Sequence, residues 1–488
     1  MKQEHVNVVI VGAGISGIDA AYNLQTKCPN KSYAILEGRE CLGGTWDLFR
    51  YPGIRSDSDM CTMGFRFKPW EGEKIVADGS SILKYLRETV DEYGIDEHIH
   101  YSQMVQTASW SSAESKWTLG VENQKTQELQ TFTCDFLFLC GGYYSYEKGY
   151  NPHFEGRDDF SGQIIHPQEW PEDLDYANKN VVVIGSGATA VTIVPSIAEE
   201  AAHVTMLQRS PTYYLIAPEE DAMGNFLRKY TNSKIAYFLV RWRNIFVSQW
   251  FFFQKCRKYP KKTKEFLINL VKESLDQNYD VDTHFTPNYN PWEQRMCLVP
   301  DGDLFNAIKS GKASVVTDHI ERFTTTGIKL KSGDELDTDL IVTATGLNLL
   351  VCNGIELFVD NEQIDVSTKM TYKGMMFNDI PNLVATFGYT NASWTLRADL
   401  TSEYVCRVLN FMDNKNFDYC CPRVDGIVED DGNWLDFSSG YVVRSMHKFP
   451  KQGSRDPWRN TQNYLKDIFA IRFGSLENKE LEFTVAKN

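Results

Sequence analysis

Between residues 6 and 37 the chain spells out a strand, a glycine loop, a helix, a second strand and an acid, and few folds accept that order. The apolar run Val6-Asn7-Val8-Val9-Ile10-Val11 passes directly into Gly12-Ala13-Gly14-Ile15-Ser16-Gly17. Helical spacing from Ile18 to Lys27 then stops at Cys28-Pro29, and a second run, Tyr33 to Leu36, closes on Glu37. A lone G-x-G-x-x-G means little, but here the whole βαβ context is present and predicts a dinucleotide-binding unit. Gly12 permits the tight turn, Gly14 lets backbone approach a pyrophosphate, and Gly17 lets helix and strand pack closely. Helix-start N–H groups, including that of Ser16, then meet phosphate with the helix dipole in favour. A carboxylate at Glu37 accepts hydrogen bonds from a ribose diol and repels a 2′-phosphate, so FAD or NAD is expected there rather than NADP.

A second copy of the unit follows. Val181-Val182-Val183-Ile184 leads into Gly185-Ser186-Gly187-Ala188-Thr189-Ala190-Val191, and the strand Val204 to Leu207 ends in Gln208-Arg209-Ser210. Arg209 stands near where the first unit has its acid, and guanidinium suits a 2′-phosphate bidentately. The second unit therefore reads as an NADPH site. The fold class expected is α/β, with two Rossmann-like domains for FAD and NADPH. The first part of the FAD domain would span 1–145 and the NADPH domain 146–345, with the rest of the FAD domain and the substrate pocket in 346–488. Residues of about 215–290 break the α/β rhythm and read as a helical insertion, aromatic from Ile235 to Phe253 and basic from Lys255 to Lys264. Most of those aromatics are expected in the core. The same face beside basic residues would also suit peripheral contact with a membrane or a partner.

Composition narrows the partners. A chain of 488 residues is too long for one core, and its net charge of −15 argues against nucleic acid. The eleven cysteines are scattered without C-x-x-C spacing, so reduced thiols, no metal and a cytoplasmic setting are expected. Cys420-Cys421 reads as two thiols at a loop edge. No secretory leader and no run of 18 apolar residues appears. Residues 80 to 94 read as an amphipathic helix, and short strands are expected from Ile99 to Leu139 with Trp110 and Trp117 as core aromatics. Nothing in the sequence specifies an oligomeric state.

Three stretches carry a resemblance. Phe160-Ser161-Gly162-Gln163-Ile164-Ile165-His166-Pro167-Gln168-Glu169-Trp170-Pro171 lies where the chain would leave one dinucleotide site and enter the other. Its form, F-x-G-x-x-x-H-x-x-x-W-P, resembles the fingerprint of the type I Baeyer–Villiger flavin monooxygenases. Gly43-Gly44-Thr45-Trp46-Asp47-Leu48 to Asp57 resembles the family's G-G-x-W-x-x-x-x-[FY]-P-G-x-x-x-D pattern. Asn288 to Arg295 holds the match to an arginine that sits over the flavin in that family. The runs Trp46–Asp59, Asn290–Phe305 and Lys373–Leu396 look most like its ethionamide-activating branch.

The resemblance implies that Gly44, Thr45, Trp46, Asp47 and Leu48 lie along FAD, with Val105 at its adenine end. Asp57 would lie at the reactive face, and Arg55 and Ser56 would reach NADP. Arg295, oriented by Asp57, would be catalytic. A lysine commonly precedes that arginine, but here it is Gln294, which leaves more of the NADPH preference to Arg209. Family chemistry would insert one oxygen atom of O2 into a ketone through a flavin peroxide, giving an ester or lactone, and would also oxidise sulfides and thioamides. His166 would be a hinge-side hydrogen-bonding residue and Trp170 a buried anchor of the linker between domains. Two alternatives stand beside this: a flavin-containing monooxygenase acting mainly on nitrogen or sulfur, and an NADPH/FAD redox sensor without turnover. A disulfide reductase is disfavoured, because Cys41 and Cys61 lack a redox partner at the usual spacing.

Overall fold

The computed structural model describes residues 3–424, 430–435 and 438–486. Its first sheet is built on the strand Gln3–Val11, which pairs in parallel with Tyr33–Leu36 on one side and Leu129–Leu139 on the other. Val8, Val9 and Ile10 are wholly buried, as expected of a parallel strand covered on both faces. One covering helix is Ile15–Lys27, against which Trp394–Lys415 packs from the far end of the chain. The strand Leu383–Ala385 also returns, pairing in parallel with Leu137–Leu139.

Beyond Leu129–Leu139 the sheet continues as an antiparallel meander through Lys116–Asn123 and Gln103–Ser111. These strands are 11, 8 and 9 residues long, not short. Lys116-Trp117-Thr118-Leu119 alternates exposed and buried, so polar positions that look like breaks are the solvated face of one long ribbon. Trp110 and Trp117 face each other in register with ring centroids 5.6 Å apart, both buried. The amphipathic helix lies at Gly79–Glu92, capped by the Asp78 side chain. Cys420 and Cys421 are not at a loop edge. They lie in the strand Tyr419–Pro422, fully buried, because that strand pairs with Leu481–Thr484.

The second sheet is wholly parallel, in the order Ala313–Thr317, His203–Gln208, Asn180–Ile184, Leu340–Thr343, Gln163–Ile165. Its last strand comes from the F-x-G-x-x-x-H-x-x-x-W-P stretch. That stretch is therefore not simply a linker: it forms an edge strand followed by the turn Pro167–Glu169. The passages between the two sheets are 140–153 and 344–350, and they pair with each other. Ser145 N–H donates to Asn348 O at 2.8 Å, Tyr150 N–H to Gly346 O at 2.9 Å, and Leu350 N–H to Tyr143 O at 2.9 Å.

The insertion is helical, with Ala222–Tyr230, Ser233–Arg243, a π-helical stretch Asn244–Phe251, Phe252–Lys258 and Pro260–Ser274. Ser233–Arg243 docks on the short helix Met60–Met63 of the first domain. Buried Arg241 there donates to the carbonyls of Cys61, Thr62 and Gly64 at 2.8, 3.2 and 2.9 Å. Its aromatics are not mainly core. Between Ile235 and Phe253 the aromatics Phe238, Phe246, Trp250 and Phe251 are exposed, and the buried face of Ser233–Arg243 is supplied by Ala236, Tyr237, Val240 and Arg241.

Candidate active site

Both glycine loops open into one cavity of about 1320 Å³. In the first loop Gly12 has φ +101°, and a Cβ there would stand 2.7 Å from the Cα of Gly141. A Cβ on Gly17 would lie 1.9 Å from Gly12 O, so Gly17 sits behind the cavity and sets the close approach of helix to strand. Gly14 caps the helix Ile15–Lys27 without any side chain on its open N–H groups. Gly44 approaches Gly14 so closely that a Cβ on it would lie 3.3 Å from the Gly14 Cα. Ser16, Thr45, Trp46 and Val105 also line this end.

Glu37 ties the loop to the sheet. Its carboxylate accepts from Ala13 N–H at 2.7 Å and Arg39 N–H at 2.9 Å. Burial raises its pKa, and those two amides oppose the shift. Ser16 Oγ accepts from Trp394 Nε1 at 2.7 Å, a bond that brings the tail onto the loop. Asp47 and Leu48, expected beside the cofactor, do not line the cavity. Thr45–Leu48 is a single helical turn, so only its first two residues face inward. Asp47 is buried against Arg39 and Arg50, at 2.7 and 2.8 Å, and Leu48 packs into the core of the second sheet.

In the second loop Gly185 has φ +142°, and a Cβ there would meet Ala344 O at 2.4 Å. Gly187 caps the helix Ala188–Ile197 with its N–H groups open, and a Cβ on it would find empty space. Ser186, Ala188, Thr189, Gln208 and Arg209 join these glycines on the cavity wall. Ala190 and Val191 do not, being wholly buried where they hold helix to sheet. Gln208 donates to His284 O and Thr317 Oγ1 at 2.7 and 2.8 Å, leaving its buried Oε1 without a partner. Arg209 is exposed and has no hydrogen-bond or ion-pair partner among the described residues. Arg55 reaches Asp303 with one nitrogen at 2.5 Å while its other terminal nitrogen is buried and unpartnered. Ser56 lines the wall, but its hydroxyl is used by Ser58 O at 2.6 Å.

Between the two loops stand Arg295 and Asp57. Arg295 Nε and Nη2 both reach Asp57 Oδ2, at 2.9 and 2.7 Å. The Asp57 carboxylate raises the guanidinium pKa well above its ordinary value, so the positive charge is permanent. Its side chain is still 40% exposed to the cavity. Three phenols surround it, Tyr143, Tyr144 and Tyr441, each pushed up by burial and so held neutral. The Arg295 guanidinium lies near enough to oppose the rise in the Tyr441 phenol. Tyr143 and Tyr144 join hydroxyls at 2.8 Å, and Tyr143 stacks on Trp394 at 5.2 Å. None of these tyrosines is marked by the sequence motifs; the signal available for Tyr143 and Tyr144 was a run of polar aromatics just after Gly141-Gly142, and Tyr441 had none.

Phe160, Gly162, His166, Trp170 and Pro171 lie outside the cavity wall. His166 Nδ1 accepts from Gln168 N–H at 3.1 Å, which leaves the proton on Nε2 for Gly346 O, also at 3.1 Å. Burial lowers its pKa, keeping the ring neutral. Gln168 Nε2 donates to Ser145 O at 2.9 Å, so this turn grips both paired passages between the sheets. Trp170 is buried among Phe49, Tyr51 and the second-sheet core. Phe160 packs on the other face of that sheet, and Gly162 leaves no room for a Cβ against Asp339 O at 2.5 Å.

The profile of the flavin-binding monooxygenase-like family matches residues 60–409, and that of an NAD(P)-binding Rossmann-like domain matches residues 10–67. The FAD-containing monooxygenase EthA of Mycobacterium tuberculosis (strain ATCC 25618 / H37Rv) is 55% identical over 481 residues, 98% of both chains. The probable FAD-binding monooxygenase AlmA of Acinetobacter baylyi is 47% identical over 483 residues, covering 99% of this chain and 96% of its own. Among solved structures, an oxidized steroid monooxygenase bound to NADP superposes with a TM-score of 0.80 at 21% identity, over 99% and 100% of the two chains. Likeness that runs through both glycine loops and the whole length between them has one meaning: the chain belongs to the flavin-binding monooxygenase-like family.

Proposed function

We propose that this chain is an FAD- and NADPH-dependent Baeyer–Villiger monooxygenase. It transfers one oxygen atom of O2 to a ketone, giving an ester or lactone, and reduces the other to water with the two electrons of NADPH. The same site would oxidise sulfur in sulfides and thioamides. The observation that carries this reading is the Arg295–Asp57 pair, set in the one cavity that both glycine loops share. Gly14, Glu37 and Trp46 would hold FAD, and Gly187, Arg55 and Arg209 would hold NADPH. The residues suit these groups: two helix ends have open N–H groups, Gly187 faces empty space, and two guanidinium groups have nitrogens to spare.

Bound FAD, reduced by NADPH, supplies the activation of O2. The protein's own part is electrostatic. Arg295 is a fixed cation in a partly desolvated site and would stabilise negative charge that builds on a ketone oxygen as it is attacked. Asp57 keeps the guanidinium in place. Tyr441 lines the same cavity, which supports the reading that the C-terminal part of the chain would contribute to the substrate end.

The test is turnover of phenylacetone and thioanisole with NADPH under 18O2. Ester and sulfoxide each carrying one labelled oxygen are expected. Sulfoxide or N-oxide without ester from any of a panel of ketones would favour the nitrogen- and sulfur-oxidising reading. No oxygen-dependent product at all would favour a sensor.

A further inference from the structure

We propose that the helical insertion is a docking surface for an anionic lipid bilayer. The observation is an amphipathic helix turned inside out. On Ser233–Arg243 the large apolar residues Ile235, Phe238 and Leu239 face solvent, with Phe238 59% exposed. The opposite side, with Tyr237, Val240 and Arg241, is the one packed on Met60–Met63. The neighbouring helix Ala222–Tyr230 repeats this, exposing Met223, Phe226 and Tyr230 at helical spacing, with Phe226 62% exposed. Trp250 and Phe251 extend the surface beyond the second helix. A soluble face does not normally gather so many large apolar side chains.

Charge decides the occupant. From Ala222 to Ser274 the chain carries twelve lysines and arginines against two glutamates, within a protein of net charge −15. Lys229 and Lys234 are exposed beside the two apolar stripes, and Lys258, Lys261 and Lys262 are exposed on the helices that follow. A second copy would set this positive surface against itself, whereas an anionic bilayer complements the bases and accepts the aromatics together. Among the described residues no helix is long and apolar enough to cross a membrane, so the contact is peripheral. Asn244, at the end of the docked helix, donates to Asp59 at 2.9 Å, and Asp59 caps Met60–Met63 close to Asp57. The surface thus rides on the segment that leads to the cavity. It stands whatever reaction the cavity performs.

Flotation of the full-length FAD-loaded protein with vesicles tests this. Vesicles of phosphatidylcholine with about 30% phosphatidylglycerol should carry the protein at low salt and release it at high salt, and phosphatidylcholine alone should not carry it. Phe226→Glu with Phe238→Glu, and separately Lys261→Glu with Lys262→Glu, should each weaken partitioning by about tenfold or more while FAD content and reduction by NADPH are unchanged. Failure to float with anionic vesicles, or flotation that the phenylalanine variant does not weaken, would overturn the proposal. So would a dimer, seen by light scattering, that this variant disperses while the wild type ignores vesicles.

Discussion

Arg295 and Asp57 lie 238 positions apart in sequence, and no spacing rule joins them. Only the family resemblance marked them as one site; the structure then puts both guanidinium contacts on a single carboxylate oxygen. Replacing Arg295 by alanine should leave FAD content intact and flavin reduction by NADPH still measurable, while ester formation falls by about 100-fold or more. Ester formation at the wild-type rate would remove Arg295 from the chemistry. Arg209 offers the complementary test. Free of partners among the described residues, it is available to a 2′-phosphate, and Gln294 brings no charge to share that load. Arg209→Ala should forfeit a charge-assisted contact of about 1.5–3 kcal/mol, raising KM for NADPH about 10- to 150-fold and leaving KM for NADH nearly unmoved. Steady-state kinetics with both coenzymes checks this. What the sequence did not disclose at this scale is the ring of Tyr143, Tyr144 and Tyr441. Tyr143 and Tyr144 are neighbours in sequence, but Tyr441 comes from far along the chain and carries no motif that joins it to them.

Elements whose hydrophobic period matches their burial were easily read. The strand Gln3–Val11, the helix Ile15–Lys27 and the strand Asn180–Ile184 are apolar where they are covered, and the glycine loops fix their direction. Two kinds of element misled. The meander from Gln103 to Leu139 has one wet face, so its polar alternation looks like interruption when it is continuity. The insertion helices place apolar residues outward, and periodicity cannot say which side of a helix the protein lies on. Within the meander Trp117 is wholly buried, packed against Trp110 with the rings tilted by 57°, and donates from Nε1 to Pro381 O at 3.1 Å. That bond ties the first-domain ribbon to the returning tail. Trp117→Ala should lower the unfolding free energy by about 3–5 kcal/mol in urea titrations, with both a cavity and a lost donor contributing. A loss under about 1 kcal/mol would mean that the neighbouring side chains collapse into the space.

At the scale of the whole molecule, the two sheets are joined by the paired passages 140–153 and 344–350, and His166 is one of the side chains that fasten them, with Gln168, Thr345 and Asn348. The His166 ring donates to Gly346, accepts from Gln168, and lies against Gly149, where any Cβ would collide with it at 1.9 Å. Nicotinamide held by one sheet must meet flavin held by the other, so the stiffness of this clamp should set how well they meet. His166→Ala should keep its FAD yet slow flavin reduction by NADPH and divert reducing equivalents to hydrogen peroxide. Rapid-mixing absorbance and a peroxide assay read the two effects. The same residue predicts a pH dependence. Burial holds its folded pKa below the unfolded value of about 6.5, so its stabilising contribution is full above that pH. The contribution is lost as pH falls from there towards the folded pKa, because only the unfolded chain then takes up the proton. The wild type should therefore lose thermal stability between neutral and mildly acid pH more steeply than His166→Gln, which has no proton to gain. A change in melting temperature alone, with reduction rate and coupling as in the wild type, would make His166 a packing residue of the edge strand and leave the control of domain placement to other contacts along the paired passages.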